Sequence, residues 1–228
     1  MPIILHIETT TDVCSIGISQ NETLLALEEI TQFSDHASKI TLLIEACLQR
    51  ANLSLQQLDA VAVSRGPGSY TSLRIGISTA KGICYALDKP LIAIDTLQAL
   101  SLATYRLEKK EALYCSMIDA RRMEVYAAIF EANNKVIQEA DALKIEVNTF
   151  DKYFNNNQSI IFSGNGAEKC KVVLTSPLAQ FSSVVCSAKH LIALALQAFE
   201  NEQFADLAYF EPFYLKPPNI TTPKKNGL

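Results

Sequence analysis

The chain is poor in the residues from which most metal and redox centres are built. Its three histidines, His6, His36 and His190, stand far apart, and no H-x-x-x-H pair sets two imidazoles one helical turn apart. A helix-borne metal site of that kind is excluded, and no metal ligand is expected. The six cysteines (Cys14, Cys47, Cys84, Cys115, Cys170, Cys186) include no C-x-x-C, and most lie in apolar runs such as Ile83-Cys84-Tyr85. They read as small buried hydrophobes of a reducing compartment. No apolar run approaches the roughly 20 residues that span a bilayer. Glu8 breaks the apolar start Ile3-Ile4-Leu5-His6-Ile7, so a cytoplasmic protein with no membrane partner is expected. Positive charge is not in excess either: 20 Lys and Arg against 24 Asp and Glu leave −4, with both signs interspersed. That balance argues against a nucleic-acid binder acting alone. No Gly-Lys-Ser or Gly-Lys-Thr follows the glycines of the central loop, which excludes a Walker phosphate loop there.

What is present is an apolar chain of 228 residues, 49% hydrophobic and 19% charged, long enough for one large domain or two lobes. Its most informative stretch is 66–82, Gly-Pro-Gly-Ser-Tyr-Thr-Ser-Leu-Arg-Ile-Gly-Ile-Ser-Thr-Ala-Lys-Gly. An apolar strand, Ala60-Val61-Ala62-Val63-Ser64, runs into Gly66-Pro67-Gly68, and a helix opens directly behind. Such a junction aims free backbone N–H groups at an anion or at a close-packed neighbour. Gly66, Gly68 and Ser69 are therefore a candidate anion loop, with a tight turn capped by Ser69 as the plainer alternative. The helix carries Ser72, Gly76 and Ala80 at a spacing of four, a ridge of small side chains that a second helix could approach. A helical glycine costs roughly 1 kcal/mol, so packing has to compensate.

Hydrophobic periodicity predicts strands at 3–8, 13–19 and 22–30, then an amphipathic helix over 35–51 capped by Ser34 or Asp35, with Ile40, Leu43, Ile44, Cys47, Leu48 and Ala51 inward. A helical turn near 55–58, the strand at 60–64, a helix over 70–88 and a strand at 91–94 follow. Asp95 or Thr96 caps a helix to about 107. Glu108-Lys109-Lys110-Glu111 marks a lobe boundary, and the pattern restarts. Strands at 113–118, 123–130 and about 135–138 precede a helical segment at 148–154, a strand at 159–163, a helix from Asn165 and an apolar helix at 187–200. The division expected is an N-terminal lobe 1–107, a C-terminal lobe 108–216 and a polar, proline-containing mobile tail 217–228. Strand-strand-strand-helix occurring twice resembles the actin-like ATPase superfamily: an α/β, ribonuclease H-like (ASKHA) fold of two related lobes, each a mixed sheet with flanking helices.

Four separated stretches resemble one family in order: Ile4-Leu5-His6-Ile7-Glu8-Thr9-Thr10, the run from Gly66 to Gly82 with Pro90 to Leu97, Asp119-Ala120-Arg121-Arg122-Met123-Glu124-Val125-Tyr126-Ala127, and Pro212-Phe213-Tyr214-Leu215-Lys216. The family is TsaB (YeaZ). The resemblance implies an accessory, non-catalytic subunit that pairs with its larger paralogue TsaD, with TsaE as an ATPase partner. It implies transfer of a threonylcarbamoyl group to the adenosine beside the anticodon of tRNAs that read A-starting codons. The tRNA is then met through the complex. No cofactor is held by the chain alone, with ATP or ADP placed at the complex interface. The resemblance also implies a four-helix interface built from the helices at 35–51 and 70–88, and Pro212–Lys216 as a last strand. His36, Ile40, Ser72, Ile75, Gly76, Thr79, Ala80 and Ile83 are its expected residues, and the same face could pair two copies of the chain.

Beside that implication stand the residues themselves. An actin-like phosphate grip uses Asp followed by Gly on the first hairpin, where this chain has Glu8-Thr9-Thr10-Thr11. Ser72 stands where the family most often has glycine. Gly76-Ile77-Ser78-Thr79-Ala80 brushes against G-x-S-x-G, but Ser78 lies inside a helix, so peptidase activity is not expected. The turn at 119–124 carries Arg121 and Arg122 where a hairpin favours Asn-Gly. It is either a salt-bridged exposed turn or an anion or RNA-phosphate contact. Ser163-Gly164-Asn165-Gly166 is either an adenosine contact or a plain strand-to-helix loop. The alternative function is a small actin-like ATP-dependent phosphotransferase.

Overall fold

A computed structural model describes residues 1–31 and 36–217. The Ser34 or Asp35 cap and all of the expected tail except Pro217 lie outside the described residues. The first sheet is built from β1 (Ile3–Glu8), β2 (Cys14–Gln20), β3 (Thr23–Ile30), β4 (Ala60–Gly66) and β5 (Leu91–Asp95), in the order β3-β2-β1-β4-β5. β1, β2 and β3 pair antiparallel, while β4 runs parallel to both β1 and β5. The parallel centre is covered on both faces, which is why β4 reads as an unbroken apolar run rather than an alternating one.

One face carries α1 (His36–Ala51) and α2 (Tyr70–Leu87). Ile40, Ile44 and Cys47 of α1 and Leu73, Ile77 and Cys84 of α2 pack there on Leu5, Ile7, Ile16 and Val63. The second sheet repeats the topology with β6 (Leu113–Asp119), β7 (Glu124–Phe130), β8 (Val136–Lys144), β9 (Ile160–Ser163) and β10 (Ala179–Phe181), in the order β10-β9-β6-β7-β8. Two sheets of one topology make this the expected actin-like α/β fold, two related lobes each built on a mixed sheet.

Between the sheets lies α3 (Thr96–Glu108), started by Asp95, whose Oδ1 accepts the Gln98 N–H at 3.0 Å. Its Leu97 and Leu100 join Ile118, Ala128 and Phe130 of the second sheet in one cluster, whereas Ala99 packs with the first. Two short helices, α4 (Asp151–Phe154) and α5 (Ala167–Cys170), flank the second sheet. The last helix, α6 (Ile192–Glu200), returns to the first sheet: Ala195 and Ala198 pack on Ile4, Ala60, Ala62 and Ile92. Beyond it Ala205, Leu207, Phe210 and Tyr214 lie along the first core. A division at 107/108 separates the two sheets in sequence, and the packing runs across it.

Several elements differ from expectation. β8 is longer than 135–138, and the helix from Asn165 shrinks to the four residues of α5. The helix at 187–200 opens as a 3-10 turn, Ala188–Leu191, before α6 begins. β10 carries no sequence signal, being three residues held only by parallel pairing with β9. Pro212–Lys216 is not a strand: Phe213 N–H donates to Arg65 O at 2.7 Å and no ladder forms. Pro212 has no N–H to give to one.

Candidate functional site

The glycine loop and the first hairpin fill each other. A Cβ on Gly68 would lie 2.5 Å from Thr10 O and 2.6 Å from Thr10 Cβ, and one on Gly66 would lie 2.6 Å from Phe213 O. Ser69 N–H donates to Thr10 O at 2.8 Å, and Gly66 N–H donates to Thr96 Oγ1 at 3.2 Å. Two of the three backbone donors of the expected anion loop are thus engaged and Gly68 is packed on Thr10, so Gly66, Gly68 and Ser69 form a packed junction rather than an open cradle. Ser69 begins α2 without a side-chain cap bond and accepts from the Ser72 hydroxyl instead, at 3.0 Å.

Beneath the loop Glu8 is fully enclosed. Its Oε1 accepts the Thr10 N–H at 2.7 Å and the Thr10 hydroxyl at 2.5 Å, and its Oε2 accepts the Ser64 hydroxyl. Burial raises the Glu8 pKa, while the bonds from Ser64 and Thr10 pull the other way. The same burial lifts the Cys14 thiol to about 11. All six cysteines are free and buried, as the sequence led one to expect. His6, His36 and His190 remain separate, and among the described residues no three His, Cys, Asp or Glu side chains gather as a metal site would require.

The small ridge of α2 faces inward. Thr9 Oγ1 donates to Ser72 O at 2.8 Å, and a Cβ on Gly76 would collide with the same Thr9 hydroxyl. Ser72, Gly76 and Ala80 are buried, as is Ile40; His36 is also buried, with Nε2 3.2 Å from Thr11 O. These five side chains are enclosed within their own chain, Ser72 and Gly76 against Thr9 and His36 against Thr11 of the first hairpin, Ile40 and Ala80 in the first core. Of the expected interface only Ile75, Thr79 and Ile83 keep part of their surface.

The accessible face of α2 lies on the other side. Gly82 is six residues beyond Gly76, which at 3.6 residues per turn puts it well round the helix. A Cβ there would meet nothing within 4 Å. Around it Thr71, Ser78, Tyr85 and Ala86 are exposed, with Ile75 and Thr79 at the margin. Tyr85 is 84% exposed, and on α1 Leu42 is 54% exposed. Sequence reasoning reached this side of the helix at Ile75, Thr79 and Ile83 but passed over Gly82, because it assigned the glycine cost to the ridge. Ser78 sits on the same exposed helical face, away from any strand-to-helix turn.

The β6–β7 connection is the second candidate. Arg121 and Arg122 both take left-handed backbone, φ 72° and 51°, the two-residue conformation that normally selects Asn-Gly. For residues with a Cβ this costs roughly 1–2 kcal/mol each. Ala120 N–H donates to Glu124 O and Glu124 N–H to Arg121 O, both at 3.1 Å. The expected salt-bridged turn is only half realised: Asp119 pairs with Lys169 and Glu124 with Lys216. Arg121 N–H donates to Asp119 Oδ1 at 2.7 Å, but among the described residues neither guanidinium pairs with a carboxylate. The loop 163–166 reads more plainly. Gly164 N–H donates to Val184 O at 2.8 Å, Gly166 N–H to Met117 O at 3.1 Å, and Asn165 Oδ1 accepts the Asp119 N–H at 3.1 Å.

With this geometry in view, residues 28–223 match the family described as TsaD: tRNA N6-adenosine threonylcarbamoyltransferase. The tRNA threonylcarbamoyladenosine biosynthesis protein TsaB of Haemophilus influenzae is 35% identical over 123 residues, covering 54% of this chain and about half, 51%, of that protein. Its counterpart in Buchnera aphidicola subsp. Schizaphis graminum is 28% identical over 211 residues, 91% of this chain and 99% of that protein. The solved structure of YeaZ from Pseudomonas aeruginosa is similar with a TM-score of 0.79 and 25% identity, over 94% of this chain and 100% of that one.

Proposed function

The chain belongs to the TsaB (YeaZ) branch of the TsaD family, and from that premise we propose that it is a non-catalytic subunit in tRNA threonylcarbamoyladenosine biosynthesis. It acts in the cytoplasm by pairing with a TsaD enzyme and supporting a TsaE ATPase. The observation that carries the pairing is the outer face of α2 at Thr71, Ile75, Ser78, Gly82, Tyr85 and Ala86, bordered by the exposed Arg74. An exposed mid-helix glycine with no neighbour in its own chain forgoes roughly 1 kcal/mol of helix propensity. A close-packed partner helix offsets that loss, and Tyr85 supplies the large aromatic that interface centres favour.

The glycine loop supports the non-catalytic reading, because the Gly66 and Ser69 amides are bonded within the chain and Thr10 fills the space at Gly68. In this reading a nucleotide binds at the complex interface rather than to this chain alone, and the same face is available to pair two copies of the chain when TsaD is absent. Size-exclusion chromatography with light scattering, on the chain mixed with TsaD of the same cell, tests the pairing. The wild type shifts to a complex, and Gly82→Leu, which meets no intrachain obstacle, fails to shift while keeping its fold by circular dichroism. A Gly82→Leu chain that assembles like wild type removes α2 from the interface.

A further inference from the structure

Arg121 and Arg122 are held outward on a braced turn with their flanking carboxylates engaged elsewhere. The brace is Lys169, whose Nζ donates to Arg122 O and Glu124 O, both at 2.7 Å, and pairs with Asp119. Glu124 is taken by Lys216 at 2.5 Å, which joins the turn to the returning segment that crosses onto the first sheet. Two residues back along that segment Tyr214 stacks on Tyr70, centroids 4.5 Å apart, and Arg74 lies 4.6 Å over the Tyr70 ring. Arg65 lies 5.7 Å over Phe213 of the same segment. Cations and aromatic rings of both lobes are thereby linked along one strip, in which Arg65 is paired with Asp95 at 3.2 Å.

We propose that this strip, centred on Arg121 and Arg122, binds the phosphate backbone of RNA, so that the chain touches the tRNA directly rather than only through its partner. The inference rests on the tRNA-modifying role given above. Paired guanidiniums without acceptors among the described residues suit phosphate oxygens, which they grip bidentately. Two non-glycine residues kept in left-handed backbone are the kind of local strain that clusters at ligand sites. An RNA backbone fits better than a free nucleotide, because the arginines stand on an exposed turn and not in a concave pocket.

The test is tRNA binding by fluorescence anisotropy across a salt series, for the chain alone and mixed with TsaD. Arg121→Gln with Arg122→Gln should weaken binding about tenfold and flatten the dependence of log affinity on log salt by roughly 0.7–0.9 per arginine. Arg121→Asn with Arg122→Gly should weaken binding equally while its thermal midpoint rises, since the turn relaxes; a merely structural turn would not couple those two changes. Wild-type affinity and salt slope in both variants overturn the proposal, as does a loss confined to ATP or triphosphate with tRNA binding intact. Assembly with TsaD is followed by elution volume in the same samples. Failure to assemble counts against the pairing reading alone, because binding by the isolated chain still decides this one.

Discussion

Two glycines of one helix have opposite meanings. Gly76 is packed against Thr9, where an added Cβ has no room, whereas Gly82 faces open space. Gly76→Ala should therefore cost about 1–3 kcal/mol through overpacking, and Gly82→Ala should gain about 0.5–1 kcal/mol from helix propensity. Urea denaturation of the two variants measures both, and equal effects would mean that the helix is rotated from the orientation described. The sequence revealed that these positions are small but not which way each one looks. Gly76 and Ala80 have the same spacing whether the ridge meets a foreign helix or the chain's own hairpin. What decides is Thr9, more than sixty residues away, whose hydroxyl reaches Ser72 O.

At the level of elements, helices and strands with strong periodicity were legible: β1 to β5, α1, α2 and α3 fall where the apolar pattern put them. Elements made by their neighbours were not. β10 exists because β9 offers it a parallel edge, and Pro212–Lys216 stays out of a ladder although its composition suits one. The clearest case is α6, which follows the second sheet in sequence yet buries Ala195 against Ile4, Ala60 and Ile92 of the first. Ala195→Leu should overfill that contact, costing about 1–3 kcal/mol. Hydrogen exchange should then quicken in β4 and β5. Faster exchange confined to β6 through β10 would place α6 on the wrong sheet.

For the whole molecule, the buried titrating groups set a pH dependence whose sign follows from their shifts. Burial lowers His6 from 6.5 to about 3 and His190 from 6.5 to about 4. Below pH 6.5 the unfolded chain takes up protons that the folded one refuses. Each histidine then removes stability as pH falls, by about 1.4 kcal/mol per unit until its folded pKa is reached. Glu8 works in the opposite sense: its raised pKa keeps a proton in the folded state above 4.5, so its share of stability falls as pH rises past that value. Between 4.5 and 6.5 two histidines oppose one carboxyl, and net stability should climb with pH. Urea midpoints across that range check it, with His6→Gln flattening the climb; a midpoint that falls toward pH 6.5 would reverse the assignment.

Fold class, the twofold recurrence of strand-strand-strand-helix and the family are all legible in the sequence, because periodicity and short motifs are local properties of the chain. Which side of α2 is exposed, that Thr10 fills the glycine loop, and that the last helix belongs to the first sheet emerge from the packed fold. Those outcomes depend on which distant side chain arrives at a surface, and hydrophobic spacing along one segment carries no record of what will be packed against it.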